Sequence, residues 1–165
     1  MSLKNNLDIA ERAVWYTQGK ITIGASNRRE AFFSFGASTL CVVAMRGVNV
    51  STPAVGEVPG WIAELASKAE ATGCGNCGEQ AAIAFLYLYT GFKAKPIDYM
   101  ARTNADHAFV VIGRKNDSNL LDVTTWGNDA TICDPWDGTF YSALKASENM
   151  CAGKVFAPDS ICRIE

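Results

Sequence analysis

The amino-acid sequence predicts one α+β domain, in which helices come first and a mainly antiparallel sheet follows. Three observations support this fold class. Apolar residues recur at helical spacing in the first half of the chain, and a segment without a polar face follows them. After Pro96 the pattern changes to short apolar runs separated by turns. The 165 residues are 48% hydrophobic and 19% charged, which is typical of a single globular domain spanning residues 1–165.

Three amphipathic helices are predicted in the N-terminal part of the chain. The spacing of apolar residues places the first over residues 5–18 and the third over residues 60–71, where Pro59 opens it. The second covers residues 29–45, and a loop rich in proline and glycine separates it from the third. Amphipathic helices bury one face, so we expect this group to pack against the sheet.

The segment over residues 78–89 predicts a different kind of helix. Residues 81–89 leave no polar face, and a helix that is apolar all round is a buried helix. Gly91 is a suitable stop. We therefore expect a central helix that lies in the core of the domain.

Short apolar runs predict the sheet. Strands are predicted over residues 97–101, 107–114, 119–125, 129–134 and 160–164, and a late helix over residues 139–150. The connector KNDSN has the composition of a turn between successive strands. Closely spaced strands of this kind favour antiparallel pairing.

Charge and hydropathy argue against several classes of protein. The net charge is −2 without a basic block, which is unlike a nucleic-acid-binding protein. No apolar run reaches the roughly 18 residues that a membrane span needs. The first residues, MSLKNNLDIAERAVWY, lack the apolar core of a signal peptide. We therefore expect synthesis in the cytosol and reduced cysteines.

Cys77 is the candidate nucleophile among the six cysteines. It stands at the start of the buried helix, where free N–H groups and the helix dipole favour an anion. The same N–H groups can stabilise an oxyanion, and the glycines around Cys77 let a substrate approach the backbone. Cys74, three residues earlier, is expected in the turn without such a role. Cys41 is expected in the core, and Cys151 and Cys162 are expected to be structural or incidental.

His107 is the only histidine in the sequence, so a mechanism with an imidazole base must use it. It begins a predicted strand downstream of Cys77. A carboxylate that orients the imidazole is expected on a neighbouring strand. Asp134, at the end of one predicted strand, is the first choice, and Asp122 is the second. Asp106 adjoins His107 and should point to the opposite face of the strand.

A zinc site is the main alternative to a nucleophilic site. Cys74 and Cys77 form a C-x2-C pair, and His107 with Cys133 would complete a Cys3His ligand set. However, the pair leads into a long buried helix, and no second pair of closely spaced ligands follows. If Asp134 points toward His107, its neighbour Cys133 points away. We therefore favour a site without a metal or cofactor.

Three stretches, GNCGEQAAIAFLYL, DHAFVVIGR and ICDPWDG, follow one another along the chain. In that order they resemble the papain-like superfamily of cysteine hydrolases, and within it the transglutaminase-like branch with its bacterial effectors and toxins. The resemblance covers residues 75–138 and leaves residues 1–72 unmatched. Papain-like proteases carry a glutamine just upstream of the cysteine, whereas residues 70–76 contain none.

This resemblance implies a thiol-dependent amide hydrolase that acts on protein substrates. Cys77, His107 and Asp134 would form a catalytic triad that works through an acyl-enzyme intermediate. A glutamine deamidase or a cysteine peptidase of bacterial effector type is the expected function. A transglutaminase and a catalytically inert papain-like binding protein are the alternatives.

The resemblance also implies the surroundings of the triad. Asn76 and the backbone N–H of Cys77 would form the oxyanion hole. Trp126 and Trp136 would line the substrate cleft, and a place in the core or at its rim is the alternative for each. Such an effector would be made in the bacterial cytoplasm, and export into a host or target cell without a signal peptide stays open.

Overall fold

The computed structural model describes residues 1–25, 37–52, 54–150 and 156–165. Five α-helices lie in this part of the chain. They are α1 (Leu3–Lys20), α2 (Ala37–Gly47), α3 (Gly60–Thr72), α4 (Cys77–Phe92) and the short α5 (Ala146–Asn149). Of the predicted helices, those over residues 5–18, 60–71 and 78–89 are confirmed. The helix over residues 29–45 is confirmed from Ala37 onward, since residues 29–36 lie outside the described residues.

Helix α3 begins and ends at residues that favour helix ends, whereas α4 ends later than its sequence predicts. Helix α3 begins after Pro59, as predicted, and Gly73 ends it in the left-handed conformation with φ of 72°. A Cβ atom at Gly73 would lie 2.7 Å from Thr22 Oγ1, so the turn needs glycine for space as well. Helix α4 continues past Gly91 to Phe92, where Lys93 supplies the left-handed cap. None of the described helices has the length and apolar character needed to cross a membrane.

Five strands form one antiparallel sheet in the order β4-β3-β2-β1-β5. They are β1 (Ile97–Arg102), β2 (Ala108–Ile112), β3 (Thr131–Asp134), β4 (Thr139–Ser142) and β5 (Pro158–Ile164). The first four strands pair with their neighbours in chain order, and β5 returns to the free edge of β1. The predicted α+β class, with helices before the sheet, is therefore confirmed.

Two predicted elements of the C-terminal part are wrong. Residues 119–125 were expected to form a strand, but Val123–Trp126 is a 3₁₀ helix that Asp122 caps by accepting from Thr124 N at 3.0 Å. A local side-chain bond of this kind competes with strand pairing. The late helix over 139–150 is replaced at its start by β4, because Thr139–Ser142 pairs with β3. Within residues 139–150, only α5 is an α-helix.

The sheet separates two hydrophobic clusters. On one face, α1, α3 and α4 pack against strand residues that include Val110, Ile112 and Cys133. The other face carries Phe109 and the side chains that surround the fully buried Trp126. The body of α4 lies inside the first cluster, as its apolar sequence predicts.

A disulfide links Cys41 in α2 to Cys74 in the turn before α4. This overturns the expectation of reduced thiols at these two positions. Cys41 and Cys74 are 33 residues apart, and packing of α2 beside the turn is what brings them together. Cys77, Cys133 and Cys162 are free thiols, and Cys151 lies outside the described residues.

Replacing both Cys41 and Cys74 with serine should lower the free energy of unfolding by about 4 kcal/mol, because the crosslink restricts the unfolded chain. Urea denaturation under oxidising conditions measures the loss. Dithiothreitol should destabilise the wild type by a similar amount and leave the double variant unchanged. Cys162→Ser is the control and should stay close to wild type. A double variant as stable as wild type would contradict the crosslink.

Candidate active site

Cys77 is the first residue of α4, and polar contacts hold the turn around it. Glu79 Oε2 accepts a hydrogen bond from Asn76 N at 2.9 Å, which closes the helix start. The next residue, Gln80, donates through Nε2 to the carbonyl oxygen of Gly75 at 2.8 Å. The Tyr99 hydroxyl donates to Gly78 O at 3.0 Å from the sheet side. The thiol is therefore presented by a helix start that is anchored on several sides.

Helix α2 supports the same turn from outside. Arg46 Nη2 lies 3.2 Å from Glu79 Oε1, and the Glu79 side chain is only 5% exposed. The Cys41–Cys74 disulfide ties the same helix to the residues just before α4. Gly75 leaves room for this packing, because a Cβ atom there would lie 2.8 Å from Glu79 Cβ. The sequence reasoning missed Glu79, although Asn76 followed three residues later by glutamate is a recognisable capping signal.

His107 lies just before β2, beside the start of α4. Cys77 Sγ is 3.9 Å from the carbonyl oxygen of Asp106, and Cys77 and His107 line the same depression. His107 Nε2 is 2.6 Å from Asp134 Oδ2. Because Nε2 faces Asp134, Nδ1 is the ring nitrogen left for the thiol. Cys77 and Asp134 therefore lie beside the same imidazole.

Burial and a backbone hydrogen bond hold Asp134 in position for its contact with His107. It ends β3 and is 2% exposed, and its second carboxylate oxygen, Oδ1, accepts from the backbone N–H of Asp137 at 3.2 Å. The Trp136 ring lies edge-on to His107, with 5.3 Å between ring centroids. Trp136 thus packs against the imidazole, and the His107 side chain is 11% exposed.

The surroundings of His107 favour its cationic form. Burial on its own lowers the pKa of the imidazole, but hydrogen bonds and charges from Asp134 and Cys77 outweigh burial and raise that pKa to about 9. His107 is therefore protonated near neutral pH. A cationic imidazole beside a thiol is the environment in which cysteine nucleophiles are activated.

Several sequence-predicted site residues lie elsewhere. Asp122 caps the 3₁₀ helix and bonds to Thr124, so Asp134 is the carboxylate that meets His107. Trp126 does not line the cleft: it is fully buried on the opposite face of the sheet, where its indole donates to Asn119 O at 2.9 Å. The backbone N–H of Asn76 is bonded to Glu79. The Cys77 N–H, at the first helical position, remains available for an oxyanion.

The four residues of the zinc alternative are not brought together. Cys74 is bonded to Cys41, and Cys133 Sγ lies 3.6 Å from Ala10 O on the α1 side of the sheet. Among the residues that the structure describes, no three His, Cys, Asp or Glu side chains converge on a point suited to a metal. Of the four residues in the zinc alternative, Cys77 and His107 are the two that lie together.

Two depressions meet at His107. One, of about 300 Å³, is lined by Cys77, Arg46 and Leu65. The other, of about 330 Å³, is lined by Asp134 and Trp136. His107, Asp106 and Arg102 border both depressions, which together form the candidate cleft. A substrate carbonyl beside Cys77 would therefore have space on either side of the imidazole.

Comparison with known proteins assigns no family to this chain. No family model, no curated protein and no solved structure matches it. The functional argument therefore rests on the residues and their geometry.

The free energy of unfolding should decrease as the pH rises through the range in which His107 loses its proton. The pKa of His107 is 6.5 in a model compound and about 9 in the folded protein, so folding strengthens proton binding. Its stabilising contribution is complete below the lower value and is lost on passing the higher one. Since one pKa unit corresponds to about 1.4 kcal/mol, the loss is on the order of 3 kcal/mol.

Urea denaturation at about pH 6 and about pH 9.5 measures this dependence. His107→Gln is the control, because its remaining pH dependence reports all other groups, among them Cys133, whose pKa burial raises. The difference between the two proteins is the contribution of His107. Identical pH dependence in both would contradict the assigned charge.

Glu79→Ala should lower the free energy of unfolding by about 1–3 kcal/mol, because it leaves Asn76 N and Arg46 without their acceptor at a buried helix start. Thermal or urea denaturation measures the effect. Glu64→Ala is the matched control: Glu64 also pairs with a cation, Lys68, but is half exposed, so its loss should stay within about 0.5 kcal/mol. Equal losses would show that Glu79 has no special role at the turn.

Proposed function

We propose that the protein is a thiol-dependent amide hydrolase that acts on protein substrates. The observation that carries the proposal is that Cys77, at a helix start, and Asp134 both lie beside the imidazole of His107, next to a cleft. A thiol, an imidazole and a carboxylate in this order are the components of nucleophilic acyl transfer. No other described cluster supports a competing chemistry as well.

The first half of the reaction forms an acyl-enzyme. The Cys77 thiolate attacks the carbonyl carbon of a substrate amide, and the resulting oxyanion is stabilised by the N–H of Cys77 and by the helix start. The cationic His107 then gives its proton to the leaving nitrogen as the C–N bond breaks. Asp134 holds the imidazole through Nε2 and compensates its charge. An amine or ammonia departs, and a thioester remains on Cys77.

The second half releases the acyl group. The neutral His107 takes a proton from water, the water oxygen attacks the thioester carbonyl, and the C–S bond breaks to return the thiolate and a carboxylate. Ammonia as the first leaving group makes the enzyme a glutamine deamidase, and a peptide amine makes it a peptidase. An amine in place of water makes it a transglutaminase. Deamidation or peptide cleavage of bacterial effector type is the activity that we propose first.

The disulfide supports a site of action outside the cytosol in which the chain is made. Disulfides persist in oxidising compartments and are rare where thiol reductants are abundant. The Cys41–Cys74 bond lies beside the proposed nucleophile, so the oxidised form is the one that we propose to be active. This is consistent with export after synthesis.

Mass spectrometry of candidate protein substrates, treated with wild type or with Cys77→Ala, tests the proposal. A mass gain of about one dalton means deamidation, fragments mean proteolysis and crosslinked species mean transamidation. Asp134→Asn should lower the activity roughly 100-fold or more, because it leaves the imidazole wrongly oriented and its charge uncompensated. Cys162→Ala, which removes another free thiol, should leave the activity unchanged.

Alkylation with iodoacetamide near neutral pH tests the nucleophile without a substrate. Cys77 should react faster than Cys162, whose pKa is raised by burial and by the charge of Asp98. The site of labelling is identified by peptide mass spectrometry. Slow labelling of Cys77, together with no difference between wild type and Cys77→Ala on any substrate, would refute a catalytic role and favour an inert binding protein.

A further inference from the structure

Arg102, the last residue of β1, occupies a position in the cleft that the proposed reaction does not use. Its side chain borders both depressions, the one that contains Cys77 and the one that contains Asp134 and Trp136. His107 lies between the same two spaces. A substrate that reaches Cys77 and passes His107 therefore runs alongside Arg102.

The partners of Arg102 are neutral. Nη1 donates to the backbone oxygen of Met150 at 3.1 Å, and Nη2 donates to Asn104 Oδ1 at 3.4 Å. Nε is buried and has no hydrogen-bond partner within the described residues. The guanidinium is thus oriented by protein contacts without a compensating negative charge from the part of the chain that the structure describes.

The other arginines in the described ranges differ in this respect. Each forms an ion pair with a carboxylate: Arg12 with Asp8, Arg46 with Glu79, Arg114 with Asp98, and Arg163 with Asp98 and Glu165. Arg46 also borders the cleft, but Glu79 already compensates its charge. Arg102 is therefore the cleft arginine whose charge is left for a ligand.

The chemistry of the guanidinium indicates what that ligand is. A partly buried cation loses solvation, and an incoming carboxylate restores the lost interaction. A carboxylate, with its two oxygens, matches the planar fork of arginine better than a neutral ligand does. Asp106 and Asp137 also border the cleft, but both are exposed at its rim, where solvent and salt screen their repulsion.

We propose that Arg102 is a specificity-determining residue that binds a carboxylate of the substrate, so that the protein selects an acidic side chain close to the amide it attacks. This inference rests on the proposed function, because it assumes that the ligand of the cleft is the substrate of Cys77. Arg102 takes no part in bond making or breaking. Its contribution is to binding, and it favours acidic segments of protein substrates over neutral ones.

Pairs of thiol reagents that differ only in a carboxylate test this role without a known substrate. Iodoacetate is compared with iodoacetamide, and N-(2-carboxyethyl)maleimide, which reaches further from the sulfur, is compared with N-ethylmaleimide. The measured quantity is the ratio of the Cys77 labelling rates within each pair, located by mass spectrometry. The ratio cancels changes in the reactivity of the thiol itself.

Arg102→Gln should lower the ratio of carboxylated to neutral maleimide by about 5-fold, as expected from the loss of one favourable charge contact. Arg102→Met, which keeps the apolar stem, is a second neutral variant and should give the same decrease. Melting curves show which variants are folded. Arg12→Gln removes one positive charge from α1, at a residue that borders neither depression, and should leave both ratios as in wild type.

Two outcomes separate the inference from the proposed function. If Cys77 of the wild type reacts rapidly with neutral reagents and the ratios do not change in a folded Arg102 variant, the carboxylate role is overturned while the nucleophile stands. If neutral reagents label Cys77 as slowly as Cys162 in the wild type, the proposed function fails first, and the specificity role fails with it.

Discussion

Burial of α4 is the constraint on which the rest of the structure depends. A helix without a polar face must be enclosed on every side, and here α1 and α3 cover it on one side while the sheet covers it on the other. Its first turn lies beside β1 and the start of β2, where Tyr99 bonds to Gly78 O and Cys77 Sγ is 3.9 Å from Asp106 O. Cys77 therefore combines a rigid position with access to a cleft. The hydrophobic core and the candidate site are consequences of the same helix.

The first turn of α4 also carries a charged side chain that is nearly buried, and burial of a charge costs free energy. Glu79 is nearly buried, and it is stabilised by Asn76 N and by Arg46 from α2. His107 and Asp134 form a second buried pair on the sheet side. Charges in such surroundings are retained only when partners compensate them. This compensation holds the thiol, the imidazole and the carboxylate in one arrangement. Arg102 differs, because its partners in the described part of the chain are neutral.

Much of the fold and the central part of the site could be predicted because they depend on short-range patterns. The alternation of apolar residues identified most strands, and the absence of polar residues identified the buried helix. Cys77 was recognisable from its place at that helix start, and His107 from being the only histidine. The choice of Asp134 over Asp122 needed strand register. The strand that holds Asp134 was recognisable from its pattern, whereas the polar turn that captures Asp122 was mistaken for a strand.

The sequence by itself determined that helices precede the sheet, which helix is buried and that Cys77 begins it, since each depends on residues a few positions apart. Only the tertiary structure decided which distant residues meet. It joined Cys41 to Cys74, placed Trp126 on the far face of the sheet, and left Arg102 at the cleft with no ion pair to a carboxylate of the described residues. The physical reason is that such pairings follow from the shared burial of whole elements. That burial depends on every residue in the packed layers, and no local pattern records it.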